Sequence, residues 1–251
     1  MSALALKVIA CVCMLLDHIG YCIPSLFPLR AVGRLAFPLY VFLMTEGFRH
    51  TSSRSRYALR LLLFAILSQV PFGLFCACDP LYETGNVMVT LLISFCLIWL
   101  VEISAKKRIT QILSWVAVIA VCAAFLFGLL HADYGSKGVL LALVFYYFGR
   151  NKGWKAALVL LLGVFAAFFH IVLFKQGYRL FGLLLGLPER FSAPTSWEWM
   201  QMFTLLSVPL ILAYNGKKGW APRGKPAKKA LQYAFYAFYP IHMLILFWTI
   251  R

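Results

Sequence analysis

Nine apolar stretches follow one another along this 251-residue chain: residues 4–24, 33–48, 57–75, 87–104, 109–130, 138–148, 156–174, 200–214 and 231–250. A hydrocarbon core of about 30 Å is crossed by about 20 helical residues, and most of the stretches come near that length. Lipid offers a backbone no hydrogen-bond partners, so a segment that crosses must satisfy its own N–H and C=O groups, as a helix does. Composition agrees, with 63% hydrophobic and 13% charged residues, where a soluble domain has about half and about a quarter. The predicted fold is therefore all-α: a polytopic membrane protein of about nine transmembrane helices in a single domain, residues 1–251. The first stretch holds one lysine, Lys7, contains Asp17 and His18, and lacks a small-x-small exit, so it reads as a retained helix instead of a cleaved signal. The sixth is short enough to be a broken or re-entrant piece. The longest connection, residues 175–199, carries an apolar patch at 180–187 expected to lie on the membrane surface or fold back over a site.

The net charge of +16 would suit a nucleic-acid binder if the basic residues shared a folded face. They fall instead between apolar runs, which excludes nucleic acid as the expected partner and leaves the bilayer. With the N-terminus inside, 17 of the 24 lysines and arginines lie on the cytoplasmic side, as the positive-inside rule requires. The expected orientation is N-terminus in, C-terminus out. Seven cysteines show no zinc spacing, and no metal is expected.

Polar groups inside apolar helices are costly and mark candidate sites. Counting about 1.5 Å per residue from the helix ends, Asp17, His18, Arg34, Asn86, Thr90, Tyr134 and His170 fall toward the outer half, and His242, after Tyr239-Pro240, near mid-depth. Neighbours on a helix point about 100° apart, so Asp17 is poorly placed to orient His18. The acid is expected to face a cation such as Arg34, and His18 a cavity. An Asp17–Arg34 pair can equally be glue between helices, and His170 reads as a hydrogen-bonded packing residue. Glu46 has Arg49 and His50 at i+3 and i+4, the spacing of local structural pairs.

The residues that open the chain, Leu6-Lys7-x-Ile9-Ala10-x-x-x-Met14-x-x-Asp17-His18-Ile19-Gly20, resemble the opening signature of TraX-type integral membrane proteins. The likeness continues through Gly33-Arg34-x-Ala36-Phe37-Pro38, Glu46-Gly47-Phe48, Ser68-Gln69-x-Pro71-Phe72, Asn86 with Thr90-Leu91-Leu92, Asp133-Tyr134-Gly135 and Tyr236-x-x-Tyr239-Pro240-x-His242. That family is named for plasmid proteins needed to acetylate the pilin N-terminus. The resemblance implies a multi-pass acetyltransferase of the bacterial cytoplasmic membrane, with acetyl-CoA as donor. The acceptor it implies is an amine or hydroxyl of an envelope component, a pilin N-terminus or a saccharide. Acyl transfer needs a base and an oxyanion stabiliser. The catalytic candidates are then His18 as base, with Asp17 and Arg34; Asn86, Thr90, Tyr134, Tyr239 and His242 are candidates for binding substrate or donor. Two rivals stand beside this: a proton-coupled transporter with Asp17, His18 and His242 as relay, and a non-enzymatic assembly protein.

Overall fold

The computed structural model describes residues 1–76, 84–185 and 199–250. Among them the fold is all-helical, with one isolated backbone bridge between Gly85 and Ala132 and no strand. The helices are α1 (Ala3–Cys22), α2 (Leu29–Gly33), α3 (Ala36–His50), α4 (Arg54–Cys76), α5 (Val87–Ser104), α6 (Arg108–Leu126), α7 (Gly135–Phe148), α8 (Trp154–Leu185), α9 (Ser207–Leu212) and α10 (Lys225–Ile250). Short 3-10 turns at Pro24–Leu26 and Gln201–Leu206 precede α2 and α9.

Five of these, α1, α4, α5, α6 and α10, are long and apolar enough to cross a membrane. Their outward faces match that solvent: Leu59, Leu62, Ile66 and Val70 of α4 and Ile109, Ile112, Val116 and Ile119 of α6 are exposed. Such a large apolar surface is stable only against lipid.

Three boundaries differ from the sequence reading. Arg34 does not sit inside the second long helix; it is the residue just after the five-residue α2, and α3 starts at Ala36. The connection after residue 174 begins as helix, because α8 runs on to Leu185; residues 186–198 lie outside the described residues. The stretch 200–214 is two half-length pieces, six residues of 3-10 helix and six of α-helix. Pro209 follows that junction, and proline supplies no N–H to a regular ladder.

Cross-bundle contacts define two ends. At the basal end the N-terminus lies on the 213–218 loop: the Met1 ammonium meets the Ala213 carbonyl, and the Ala3 and Leu4 N–H groups donate to the Lys217 and Lys218 carbonyls at 2.9 and 3.1 Å. Those are orphan donors of the first turn of α1. Arg54 pairs with Glu102 across α4 and α5 at the same end. Glu46, 4% exposed, holds Arg49 at 2.8 Å, and Arg49 donates to the Phe145 and Tyr146 carbonyls at the close of α7. The Glu46–Arg49 pair is thus a buried tie between α3 and α7. At the opposite, apical end lie α2, the start of α5 and the 131–135 turn.

Candidate active site

A cavity of about 660 Å³ runs through the bundle between α1, α3, α4, α5 and α10. Arg60 and Phe75 of α4 both line it, and 15 helical residues separate them, about 22 Å of rise. The cavity therefore links the two ends. Between those ends Met14, Leu43, Met44 and Leu91 give it a mostly apolar stretch. Tyr40 also lines this stretch, with its hydroxyl on Cys11 Sγ at 3.1 Å, and the charged groups lie to either side of it.

The apical group is built around Asp17. Two cations, Arg34 and Arg30, reach it; Arg34 Nη2 is in direct contact with Asp17 Oδ1, and Arg30 Nε lies 3.5 Å from the same oxygen. Arg34 is 3% exposed, so its charge is compensated within the protein. The approach depends on Gly33: a Cβ there would stand 2.7 Å from Asp17 Cα. The i, i+4 spacing of Arg30 and Arg34 put both guanidinia on one face of α2. That signal was present in the sequence, which identified only Arg34.

His18 points away from Asp17 and meets α10. Its Nδ1 lies 2.6 Å from His242 Nε2, the two rings nearly parallel at 8°, with Phe75 tilted against it at 4.8 Å. The proton positions follow from the partners. His242 Nδ1 is 2.6 Å from the Phe238 carbonyl, which can only accept. A neutral His242 donates there and leaves Nε2 as acceptor, so His18 donates from Nδ1. His18 Nε2 is then the unprotonated nitrogen, on a residue that lines the cavity. His242 is 4% exposed and stands behind His18. Pro240 between Phe238 and His242 lies in the interior of α10, where a proline loosens the local ladder.

The 131–135 turn closes the apical side. Tyr134 has φ +65°, the left-handed region that a tyrosine rarely occupies. Its ring stacks on Phe37 at 3.7 Å. Burial holds its phenol above the ordinary range, although Arg34 pulls the other way, so it stays a neutral O–H donor. Burial likewise pushes the Asp133 carboxyl up to about 6 against the pull of Arg34. Asp133, Tyr134 and Tyr239 line the cavity.

Asn86 and Thr90 are placed differently. Asn86 is fully buried and its amide is spent: Nδ2 donates to the Ala65 carbonyl at 2.7 Å and to Gln69 at 2.8 Å, and Oδ1 accepts from Met88 N–H. It is the N-cap of α5, a role legible from an asparagine just before an apolar run. Thr90, also fully buried, donates to the Asp133 carbonyl. Both shape the wall and present no polar atom to a ligand. His170 binds Ser136 and the Ala167 carbonyl, each at 2.9 Å, and joins α7 to α8.

The structure thus gathers Asp17, His18, Arg34, Tyr134, Tyr239 and His242 at the apical end and adds Arg30 and Asp133. No solved structure matches the chain. A curated relative, the probable fimbrial assembly protein FimC, serogroup H1, of Dichelobacter nodosus, is 30% identical over 98% of this chain and 94% of its own length. The family model described as TraX protein matches residues 2–251. With that match spanning nearly the whole chain, the chain belongs to the TraX family.

Proposed function

We propose that this protein is a membrane-embedded acetyltransferase that moves an acetyl group from acetyl-CoA to an amine or hydroxyl acceptor. The observation that carries the reading is the cavity itself. It joins a basic end to a His/Asp/Arg/Tyr cluster through an apolar throat, so a donor held at one face can present its thioester near the other. The family and the fimbrial relative's name favour a pilin-type N-terminal amine as acceptor, with a saccharide hydroxyl as the alternative. With the N-terminus inside the bacterial cytoplasmic membrane, the basal end meets cytosolic acetyl-CoA and the apical end meets the acceptor.

In the reaction, the acceptor nitrogen or oxygen attacks the thioester carbonyl and His18 Nε2 takes the proton that is lost. The tetrahedral oxyanion is stabilised by the neutral Tyr134 phenol and by the field of Arg34. Collapse breaks the C–S bond, and the proton on His18 passes to the leaving thiolate. Asp17 balances Arg34 and Arg30, and His242 fixes the His18 tautomer as an orienting acceptor does in a triad.

Purified protein with acetyl-CoA and a pilin-like peptide is expected to release free thiol, and His18→Ala to abolish release with its thermal melt retained. Absence of both thiol release and CoA binding, whatever acceptor is offered, would end the proposal. The His18–His242 hydrogen bond gives some support to a second reading, a proton relay in a transporter. In that relay Asp17 takes no part, being held by two arginines. Proton-coupled uptake into vesicles without acetyl-CoA would favour it.

A further inference from the structure

The basal mouth of the cavity holds three cations that the acyl-transfer chemistry leaves unused. Lys7 of α1, Arg60 of α4 and Lys218 of the 213–224 loop all line it. The carboxylates among the described residues are engaged elsewhere or lie at the apical end: Asp17 with Arg30 and Arg34, Glu46 with Arg49, Glu102 with Arg54, and Asp133 in the 131–135 turn. Lys7 instead lies over the Phe235 ring at 5.5 Å, and Arg60 over Tyr57 at 5.2 Å. The Arg60 guanidinium also meets the Tyr236 hydroxyl, but its Nε is buried without a hydrogen-bond partner.

This convergence is built. The Leu4 N–H holds the Lys218 carbonyl, and Gly219, at φ +86°, stands where a Cβ would be 2.9 Å from Ser2 Cβ. The loop is thereby seated on the first turn of α1, which brings Lys218 to the same opening as Lys7. Positive-inside sorting explains basic residues in loops; it does not require Lys7 and Arg60, both within helices, to face a shared cavity. With no counterion for them among the described residues, these like charges repel one another, and a ligand carrying several negative charges relieves that.

We propose that Lys7, Arg60 and Lys218 form a phosphate clamp for the nucleotide end of the acyl donor, with Tyr57, Phe235 and Tyr236 as its aromatic wall. This rests on the acetyltransferase reading and deepens it. Phosphates are held in the basal mouth, where charge and water meet. The slender uncharged arm between phosphates and thioester passes the throat at Met14 and Met44, and the thioester arrives at His18. An anionic lipid headgroup offers the same phosphate chemistry, so the test separates the two.

Full-length protein in neutral detergent is titrated with CoA, with pantetheine, which lacks every phosphate, and with phosphatidylglycerol. CoA is expected to bind more tightly than pantetheine and to weaken as salt is raised. Lys7→Ala and Lys218→Glu should each raise the Kd for CoA about tenfold, the scale of one charge-assisted contact, and leave pantetheine binding unchanged. Lys218 is exposed, so its substitution does not threaten the fold; a thermal melt checks both variants. Equal binding of CoA by wild type and variants would overturn the clamp. So would charge-dependent binding of phosphatidylglycerol in place of CoA. Kinetics keep the two hypotheses apart: turnover of acetyl-CoA with an unaltered KM in the variants sinks the clamp alone, whereas failure of the wild type to cleave either acetyl-CoA or S-acetylpantetheine with any acceptor sinks the acetyltransferase.

Discussion

Removing the charge of Asp17 separates its structural role from its chemical one. In the wild type a single carboxylate faces two guanidinia, with Arg34 buried and in direct contact and Arg30 at 3.5 Å. Asp17→Asn keeps the shape and leaves Arg34 without its counterion. Breaking a buried pair by removing one partner costs about 3–5 kcal/mol. Here the lower end, about 3 kcal/mol, is expected, because Asp133 lies within electrostatic range of Arg34. Asp17→Asn with Arg34→Met removes both charges, and such replacements of a buried pair are often neutral within about 1–2 kcal/mol. Arg30 keeps its place over Tyr21 at 5.1 Å. Denaturant unfolding in mixed micelles of the wild type, both single variants and the double variant gives the coupling energy directly. The expected pattern is two destabilised single variants, a double variant recovered to near wild type and, on the proposed acetyltransferase function, acetyl transfer lost in all three. A stable Asp17→Asn would refute the counterion argument. Recovered turnover in the double variant would show that Arg34 has no part in the reaction.

Three further outcomes follow from the same geometry. His242→Phe removes the acceptor that fixes His18; kcat should fall about 10- to 100-fold with KM held, less than the roughly 100- to 10,000-fold of losing a general base outright, while His242→Gln, whose amide oxygen can accept the Nδ1 proton, should retain more activity, as steady-state pH profiles would show. Gly33→Ala places a methyl 2.7 Å from Asp17 Cα, so α2 must retreat by roughly 1 Å at a cost of about 1–3 kcal/mol, read as a lower melting temperature together with lost turnover. Asp133 holds its proton to about pH 6 in the folded protein against an ordinary 3.8. The folded state therefore binds more protons than the unfolded one between those values, and stability present below about pH 4 declines as pH rises through 6, by at most about 3 kcal/mol; Asp133→Asn should flatten that slope in melts taken from pH 4 to 7.

Helix identity was written plainly in the sequence, because lipid demands a backbone that satisfies itself and apolar runs near 20 residues have helix length, about twice that of a barrel strand. Asp17, His18 and Arg34 were legible for a related reason, since an ionisable group inside an apolar run stands out and the 100° step separates adjacent side chains. What one-dimensional spacing does not carry is the partner 224 positions away: His242 was visible as a polar residue near a proline, but its bond to His18 is a property of how α10 packs on α1. Asn86 misled for a simpler reason. Its value as a cap is local, and placing it at an apparent depth drew attention from the helix start it serves. The basal mouth was hidden by its own abundance, because Lys7, Arg60 and Lys218 looked like three more positive-inside residues until α1, α4 and the 213–224 loop were brought together.

The throat between the two polar groups decides what kind of traffic the cavity suits. Met14, Leu43, Met44 and Leu91 line it, and a passage walled by such side chains opposes hydrated ions by excluding their water, while an uncharged chain loses little on entering. Methionine also adapts its shape to whatever lies against it. Met44 is 3% exposed on α3, and Met44→Trp would fill the throat without adding charge. If a flexible arm threads this route, CoA should still bind at the basal mouth of that variant, with its salt dependence intact, while thiol release from acetyl-CoA falls by at least about tenfold, a barrier increment of about 1.4 kcal/mol. A melting temperature close to wild type separates blockage from misfolding, since overpacking alone costs about 1–3 kcal/mol. Undiminished turnover in a folded Met44→Trp protein would mean that the thioester reaches His18 by another path, and the division of the cavity into a charged mouth, an apolar throat and a reactive end would have to be abandoned.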